Sequence, residues 1–182
     1  MRFQAFSSCF LALGVAACGA ERSRSVSVTE AAVDPDCYQG ESFACAAEKE
    51  ITRLNNLYRT NSGLREFAYS GHLGFVAREW SKIQGDRGSI GHDGFPGERS
   101  GMYRQEFGSM EGLSINGENV AMYGPSSASD AEAAGRELAE MWWNSSGHRA
   151  NMLGNYKGLG VGVYRTASGE IYGTQIFYNA DH

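Results

Sequence analysis

The spacing of apolar residues changes once along this chain, and that change limits the folds open to it. Apolar residues first recur every three or four positions, near residues 44–62, 71–84 and 129–143, as in amphipathic helices. After residue 158 small and apolar residues alternate, and a second β-rich stretch at 170–178 follows a turn, which predicts a β-hairpin. Helices early and strands late predict a single α+β domain with helices packed on a small antiparallel sheet.

Glycine and serine residues mark the expected helix boundaries. Gly63 lies where the first helix should end, and Ser70 lies where the N-cap of the second helix belongs. Gly85 should end the second helix. Ser129 and Glu132 have the S-x-x-E spacing of a capping box, which predicts the start of the third long helix.

Two segments between these helices are predicted to be loops that carry chemically useful side chains. The glycine-rich segment 85–97 carries His92, and the segment 108–123 carries Glu118. A short helix is expected between them, over 98–107. Loops on a rigid scaffold commonly present functional groups, so both side chains are candidates for a site.

A third candidate lies in the stretch W-W-N-S-S-G-H-R-A-N-M-L, residues 142–153. Taken alone, the stretch predicts a helix that ends near Trp143 and is stopped by Gly147. His148 and Arg149 would then favour the negative end of the helix dipole. Trp142 is expected to pack in the core. His148 would sit on a rigid support and still face a cleft.

The N-terminal segment has the features of a targeting signal. Met1 and Arg2 precede a mostly apolar stretch that ends in V-A-A-C at Cys18, which predicts a secretory signal peptide over 1–17. The ending favours a lipoprotein with a lipid on Cys18, the alternative being an ordinary signal peptide with Cys18 incidental. Residues 18–43 are interpreted as a tether and 44–182 as the domain.

Charge and cysteine content restrict the remaining possibilities. The formal net charge is −5 and no basic stripe is present, which disfavours nucleic-acid binding. Cys37 and Cys45 form an even pair in a chain predicted to be exported, so a disulfide is expected between them. Two free thiols are the alternative, which an oxidising compartment makes less favourable.

Five short motifs in a fixed order resemble a known family. They are G-H-D-G-F at 91–95, G-E-N-V-A at 117–121, the stretch at 142–153, G-L-G-V-G-V at 158–163 and Y-G-T-Q-I-F at 172–177. Together they resemble the CAP superfamily of cysteine-rich secretory, antigen 5 and pathogenesis-related 1 proteins, also called SCP domains, and in particular its short bacterial secreted branch. The resemblance covers about 51–178 and implies a three-layer α-β-α sandwich.

The same resemblance implies a cavity that contains His92, Glu118 and His148. These residues match three of the family's four cavity residues, and the fourth is a glutamate shortly after the first histidine. The nearest acids here are Asp93 and Glu98, neither of which matches that place closely, and whether either completes the set is left open. Two imidazoles and a carboxylate suit Zn²⁺ or another divalent cation, with His92 and His148 as the expected ligands. Without a metal they suit acid–base chemistry.

Other motif residues are given supporting roles. Tyr123 and Gln175 are candidates for the cavity lining. Asn119 and Asn151 are expected to tie loops together through backbone hydrogen bonds. Arg149 is expected to pair with an acid near the cavity.

Three functions are compatible with such a site. The first is an exported, membrane-anchored binding module whose cleft holds a metal ion and a lipid, glycan or peptide. The second is a hydrolase that uses His92, Glu118 and His148 on an extracellular polymer, and the third is an interaction protein of the cell envelope. Binding is preferred because the sequence offers acid–base groups but no recognisable group to stabilise developing negative charge.

Overall fold

The computed structural model describes residues 37–125 and 130–181. The predicted signal peptide, the proposed lipidation at Cys18 and most of the predicted tether lie outside these residues, and so does Ser129. None of the described helices combines the length and apolar composition needed to cross a bilayer.

Helices and strands follow one another along the described residues. In chain order they are α1 Ser42–Asn61, β1 Ala68–Tyr69, α2 Gly71–Arg87, α3 Gly97–Phe107, β2 Leu113–Tyr123, α4 Ala131–Asn144, α5 Ser146–Met152, β3 Gly158–Arg165 and β4 Ile171–Ala180. The strands form one sheet in the order β1-β3-β4-β2. The hairpin of β3 and β4 is antiparallel, as predicted, and β2 pairs antiparallel with β4. The sheet is mixed because the two-residue strand β1 runs parallel to β3.

The sheet lies between two helical layers, so the α+β sandwich is confirmed. Helix α2 packs on β3 and β4, whereas α1 packs on β3 and on α4, which reaches β2. Two strand glycines show how closely the helices approach. A Cβ on Gly160 would lie 2.6 Å from Leu73 Cβ of α2, and one on Gly173 would lie 2.7 Å from Leu138 Cδ1 of α4. Each face of the sheet therefore has its own apolar core.

Several local predictions are confirmed. Gly63 has φ +74° and follows α1, and Leu64 N–H donates to Arg59 O at 2.9 Å, the pattern of a Schellman motif. Ser70 is the N-cap of α2 and accepts a hydrogen bond from Leu73 N. The Cys37–Cys45 disulfide is present, with its Cα atoms 5.6 Å apart.

The predicted end of α2 was wrong. The helix continues past Gly85 to Arg87 and ends at Gly88, which has φ +69°. Gly85 instead allows close packing, because a Cβ there would lie 2.8 Å from the ring of Tyr164. Ile83, an apolar residue of the same helix, is 39% exposed.

The segment 108–123 was expected to be a loop, but most of it forms the strand β2. Its sequence, L-S-I-N-G-E-N-V-A-M-Y, lacks clean alternation because Glu118 and Asn119 are polar and yet buried. Buried polar side chains are tolerated where other elements supply hydrogen-bond partners. The strand could not be read from hydrophobic alternation because those partners come from elsewhere in the chain.

The boundaries around α4 also differ from the prediction. Asp130, rather than Ser129, is the N-cap and accepts hydrogen bonds from Glu132 N and Ala133 N. At the other end Ser145 is extended, and the chain re-enters a helix at Ser146. Gly147 therefore lies within α5 instead of stopping α4, and α5 carries His148.

Candidate functional site

A buried ion pair forms the base of the candidate site. Glu118 projects from β2 and Arg99 from α3, and their side chains are 1% and 0% exposed. Arg99 Nε donates to Glu118 Oε2 at 2.6 Å and Nη2 donates to Oε1 at 2.9 Å. The guanidinium also lies 3.2 Å from the ring centroid of Trp80. The two parallel hydrogen bonds and the aromatic face fix the plane of the guanidinium and, with it, the carboxylate.

His92 is held against this ion pair from the loop between α2 and α3. Its Nδ1 lies 2.8 Å from Glu118 Oε1, and its side chain is 51% exposed. An ionised Glu118 can only accept, so the hydrogen bond assigns the proton of the neutral ring to Nδ1. Nε2 is then the unprotonated nitrogen on the other side of the ring, and it is available to a ligand.

The backbone of the His92 loop is fixed by the same layer of side chains. Trp80 Nε1 donates to Gly91 O at 3.2 Å, and Gly91 N donates to Gln84 Oε1 at 2.9 Å. On the other side of His92, Arg99 Nη1 donates to the carbonyl oxygen of Asp93 at 2.9 Å. Arg99 therefore positions both the carboxylate and the loop that presents the imidazole.

The second imidazole, His148, lies on α5, which packs against α4 and β2. Burial lowers its pKa from the ordinary value of 6.5, and the charge of His92 lowers this pKa further. The effect of His92 is the repulsion expected between two protonated imidazoles. Because its pKa is below 6.5, His148 is neutral at pH 7 and can both donate and accept hydrogen bonds.

An amide network joins α5 to β2. Asn119 Nδ2 donates to the carbonyl oxygen of His148 at 3.0 Å, and Asn151 Nδ2 donates to that of Glu118 at 3.3 Å. The two side chains are themselves joined, Asn151 Nδ2 to Asn119 Oδ1, at 2.9 Å. The backbone hydrogen bonds predicted for Asn119 and Asn151 are present, but they join strand β2 to helix α5 rather than two loops. The network fixes the position of the His148 backbone relative to Glu118.

Gln175 belongs to this network rather than to the surface around His92. It is fully buried and accepts a hydrogen bond from Asn119 Nδ2 at 2.9 Å. Gln175 pairs with Asn119 across the ladder, whereas Glu118 pairs with Ile176. Since neighbouring residues of a strand point to opposite faces, Gln175 and Glu118 lie on different faces of the sheet.

The structure does not bring Tyr123 to the site. Tyr123 is five residues beyond Glu118 on β2, about 17 Å along the strand and on the other face. Burial raises the pKa of its hydroxyl, and the charge of Glu137 on α4 adds to the effect. The ring packs against the core cluster that contains Leu138 and Trp142.

Contrary to the prediction, Arg149 pairs with no acid among residues 37–125 and 130–181. Its Nη1 donates to the carbonyl oxygen of Trp143 at 2.8 Å, and its guanidinium lies 5.6 Å from the centre of that ring. Trp143 in turn stacks on Tyr58 of α1, with ring centroids 4.3 Å apart. Arg149 therefore stabilises the junction between α4 and α5, where a carbonyl is left free by the helix break. Trp142 is fully buried, which confirms its core assignment.

Neither acid considered for the fourth cavity position joins Glu118. The Asp93 carboxylate pairs with Arg87 at 2.6 Å, and Glu98 lies on the surface, 3.7 Å from Arg99 Nη1. The main partner of Glu118 is instead the cation Arg99, which sequence reasoning missed. A buried glutamate in a strand requires a compensating charge, but nothing in the sequence says which arginine supplies it.

The residues present do not fit a zinc site with three protein ligands. Within residues 37–125 and 130–181, no group of three or more His, Cys, Asp or Glu side chains is arranged to hold a metal ion. Both oxygens of Glu118 accept from Arg99, and Nδ1 of His92 is bonded to Glu118. Two imidazole donors are left, fewer than catalytic or structural zinc sites use. The divalent cation at His92 and His148 stays a prediction, and no chemical step is assigned to it.

Sequence comparison identifies similar proteins over most of the domain. The model of the cysteine-rich secretory protein family, CAP, matches residues 52–177. The protein YkwD of Bacillus subtilis, described as uncharacterized, is 29% identical over 132 residues, which is 70% of this chain and 46% of YkwD. The chain thus spans about half the length of this curated relative.

Solved structures support the same fold. An extracellular protein with an SCP domain from Bacillus anthracis is 32% identical, with a TM-score of 0.57 over 75% of this chain and 41% of its own. An outer surface protein from Borrelia burgdorferi is 15% identical, with a TM-score of 0.55 over 74% of this chain and 93% of its own. A cysteine-rich secretory protein from Staphylococcus aureus is 17% identical, with a TM-score of 0.51 over 77% of this chain and 40% of its own. At the two lower identities, the likeness concerns the fold alone.

Proposed function

Because the chain belongs to the cysteine-rich secretory protein family, CAP, we propose that it is an exported binding module whose ligand contacts His92 and His148. Fold does not specify function in such a family, so the proposal rests on the site itself. The ligand is a lipid headgroup, a glycan or a peptide. It must carry hydroxyl or amide groups that can form hydrogen bonds with the two imidazoles. Neutral imidazoles bind such groups through single hydrogen bonds.

The observation that supports this proposal is the way in which both carboxylate oxygens of Glu118 are hydrogen-bonded. Arg99 donates to both carboxylate oxygens, and Oε1 is also shared with His92. A carboxylate whose two oxygens both accept hydrogen bonds from one guanidinium is fixed in orientation, and its lone pairs are already engaged. Glu118 is therefore suited to orient His92 rather than to accept a proton from water or from a substrate.

Hydrolysis is the second candidate, and the hydrogen bond between His92 and Glu118 favours it. A carboxylate that holds Nδ1–H and leaves Nε2 free is the arrangement of an oriented general base. Among the described residues, however, none with a hydroxyl or thiol is hydrogen-bonded to either imidazole, so water would have to be the nucleophile. A non-catalytic envelope protein that uses the domain only for protein contacts is the third candidate.

Export and lipid anchoring are part of the proposal. The Bacillus anthracis relative is described as extracellular and the Borrelia burgdorferi protein as an outer surface protein. The Cys37–Cys45 disulfide fits an oxidising compartment. Mass spectrometry of protein extracted from membranes tests the anchor, since a mature N-terminus other than a lipid-modified Cys18 contradicts it.

The binding proposal is tested by native mass spectrometry of the mature protein purified from its own envelope. A retained ligand should be lost in His92→Ala and His148→Ala and kept in His72→Ala, a control at an exposed histidine on α2. Parallel assays with casein, peptidoglycan and ester substrates test hydrolysis. Turnover that both substitutions at His92 and His148 abolish would replace the binding proposal with the hydrolase.

A further inference from the structure

A cavity of about 590 Å³ lies at the edge of the sheet opposite to the strand that carries Glu118. β1 pairs only with Gly158 and Leu159, so within the described part of the chain no strand covers β3 from residue 160 to 165. The N-terminus of α1 and the middle of α2 form walls on either side of this edge. None of the residues around His92 lines the cavity, so it is a separate site.

The floor of the cavity carries no free charge. Arg78 donates to both oxygens of the buried Glu48, from Nε at 2.8 Å and from Nη2 at 2.7 Å. Val163 N–H, at the uncovered edge of β3, donates to Glu48 Oε1 at 2.9 Å. An extended peptide adding to this edge would need that N–H, so the Glu48 contact disfavours a peptide strand as the occupant.

Two half-buried aromatic rings line the walls. Phe43 belongs to α1, and Tyr164 belongs to β3. A cation lies beside each ring, with Arg165 Cζ 5.2 Å from the centre of Phe43 and Lys82 Nζ 5.7 Å from that of Tyr164. Each wall thus presents an apolar surface next to a strong hydrogen-bond donor.

Charges of both signs surround the opening. Glu41 and Glu79 line it together with Lys82 and Arg165, and Lys82 is already paired with Asp86 at 2.5 Å. A phosphate or carboxylate ligand would meet two acids there, and a cationic ligand would meet two bases. This mixture of signs favours an uncharged ligand that offers both donors and acceptors, because a charged ligand would meet like charges at the opening.

We propose that this cavity binds a short, uncharged oligosaccharide. The C–H faces of the sugar rings stack on Phe43 and Tyr164, and the hydroxyl groups exchange hydrogen bonds with the charged side chains around the opening. The cavity volume lies within the range of about 300–1,000 Å³ that is usual for small-ligand sites. The site adds a carbohydrate anchor to an envelope domain and does not depend on the ligand of His92 and His148.

The test is isothermal titration calorimetry of the mature protein with two probes, the β-1,4-linked tetramers of N-acetylglucosamine and of glucose. Binding of the first alone indicates an acetylated glycan, and binding of both indicates a general glycan. Phe43→Ala and Lys82→Ala should each weaken binding about tenfold, the loss of one stacking surface or one charged donor. Lys49→Ala removes an exposed lysine of α1 that does not line the cavity, and it should leave binding unchanged.

Circular dichroism and thermal unfolding of each variant distinguish a loss of binding from a loss of folding. If Phe43→Ala is unstable, Lys82→Ala alone tests the site. His92→Ala should keep oligosaccharide affinity, which distinguishes failure of this site from failure of the proposed function. The proposal is overturned if neither tetramer binds at millimolar concentration, or if Phe43→Ala and Lys82→Ala both fold and bind as wild type does. Binding of tetra-alanine in place of the sugars would assign the cavity to peptides instead.

Discussion

Arg99 and Glu118 form a bidentate ion pair in which neither side chain is more than 1% exposed. The two residues come from different elements, α3 and β2, and the pair fixes the acceptor of the His92 hydrogen bond. Arg99 also binds the backbone of the His92 loop. Arg99, a buried cation, thus sets the geometry of the site. It lies outside the sequence motifs, which contain only the two imidazoles and the carboxylate.

Replacing Arg99 should destabilise the fold strongly. Arg99→Met leaves Glu118 buried without a partner, and removing one member of a buried pair typically costs about 3–5 kcal/mol. Urea unfolding measures this free energy, with Arg104→Met, an exposed arginine of the same helix, as the control. The double variant Arg99→Met, Glu118→Gln should recover much of the loss. A change below about 1 kcal/mol in the single variant would contradict a buried ion pair.

The free energy of unfolding should depend on the protonation of His148. The pKa of His148 is lowered in the folded protein, so the unfolded chain binds more protons than the folded one just below pH 6.5. The stability of the fold with neutral His148 is therefore fully present above about pH 6.5, and it is lost as the pH falls toward the pKa of His148 in the folded protein. In urea unfolding at several pH values, His148→Gln should flatten the dependence and His72→Gln should not. An equal effect of both variants would refute the assignment.

Divalent cations should bind the His92 and His148 pair only weakly. With two imidazole donors, Zn²⁺ is expected to bind with a Kd of about 10 µM or weaker, because stable zinc sites use three or four protein ligands. Calorimetry measures the affinity, and soaked crystals should place the ion between the two rings. His148→Ala should abolish binding and keep the fold. Nanomolar affinity would show that the side chains rearrange to supply another ligand.

Removing the disulfide should lower stability moderately. Cys37 and Cys45 are eight residues apart, and closing so short a loop contributes about 2–3 kcal/mol in the chain-entropy model. The double variant Cys37→Ser, Cys45→Ser should show this loss in urea. Reductant should destabilise the wild type by a similar amount and leave the variant unchanged. If reductant affects both proteins equally, the disulfide is not its target.

Gly162 should tolerate no side chain. A Cβ there would collide with the backbone of Ala77 and Arg78 in α2, so Gly162→Ala should cost at least about 2 kcal/mol by forcing the helix off the sheet. Gly101→Ala is the matched control, because Gly101 lies in α3 with no atom near its Cβ position. That substitution should stabilise by about 0.5–1 kcal/mol. Thermal unfolding distinguishes the two, and equal melting temperatures would contradict direct helix–sheet contact.

The sequence by itself determined features whose partners lie within a few residues. The Gly63 and Ser70 caps, the hairpin of β3 and β4, and the positions of the long helices depend on local hydrogen bonds and on one side of an element being apolar. The motifs that contain His92, Glu118 and His148 were visible for a similar reason, because each is a short run of residues.

Only the tertiary structure decided which side chains meet. Arg99 lies nineteen residues from Glu118, and α2 runs through Gly85 because the Tyr164 ring packs there. Strand β2 pairs with β4, whose residues lie 48 to 67 positions further on. This pairing sets the polar but buried Glu118 and Asn119 on opposite faces and turns Tyr123 away from the site. Buried charges and amides are stable only when partners from other elements compensate them. Such partners are set by the packing of the layers, which local sequence patterns do not specify.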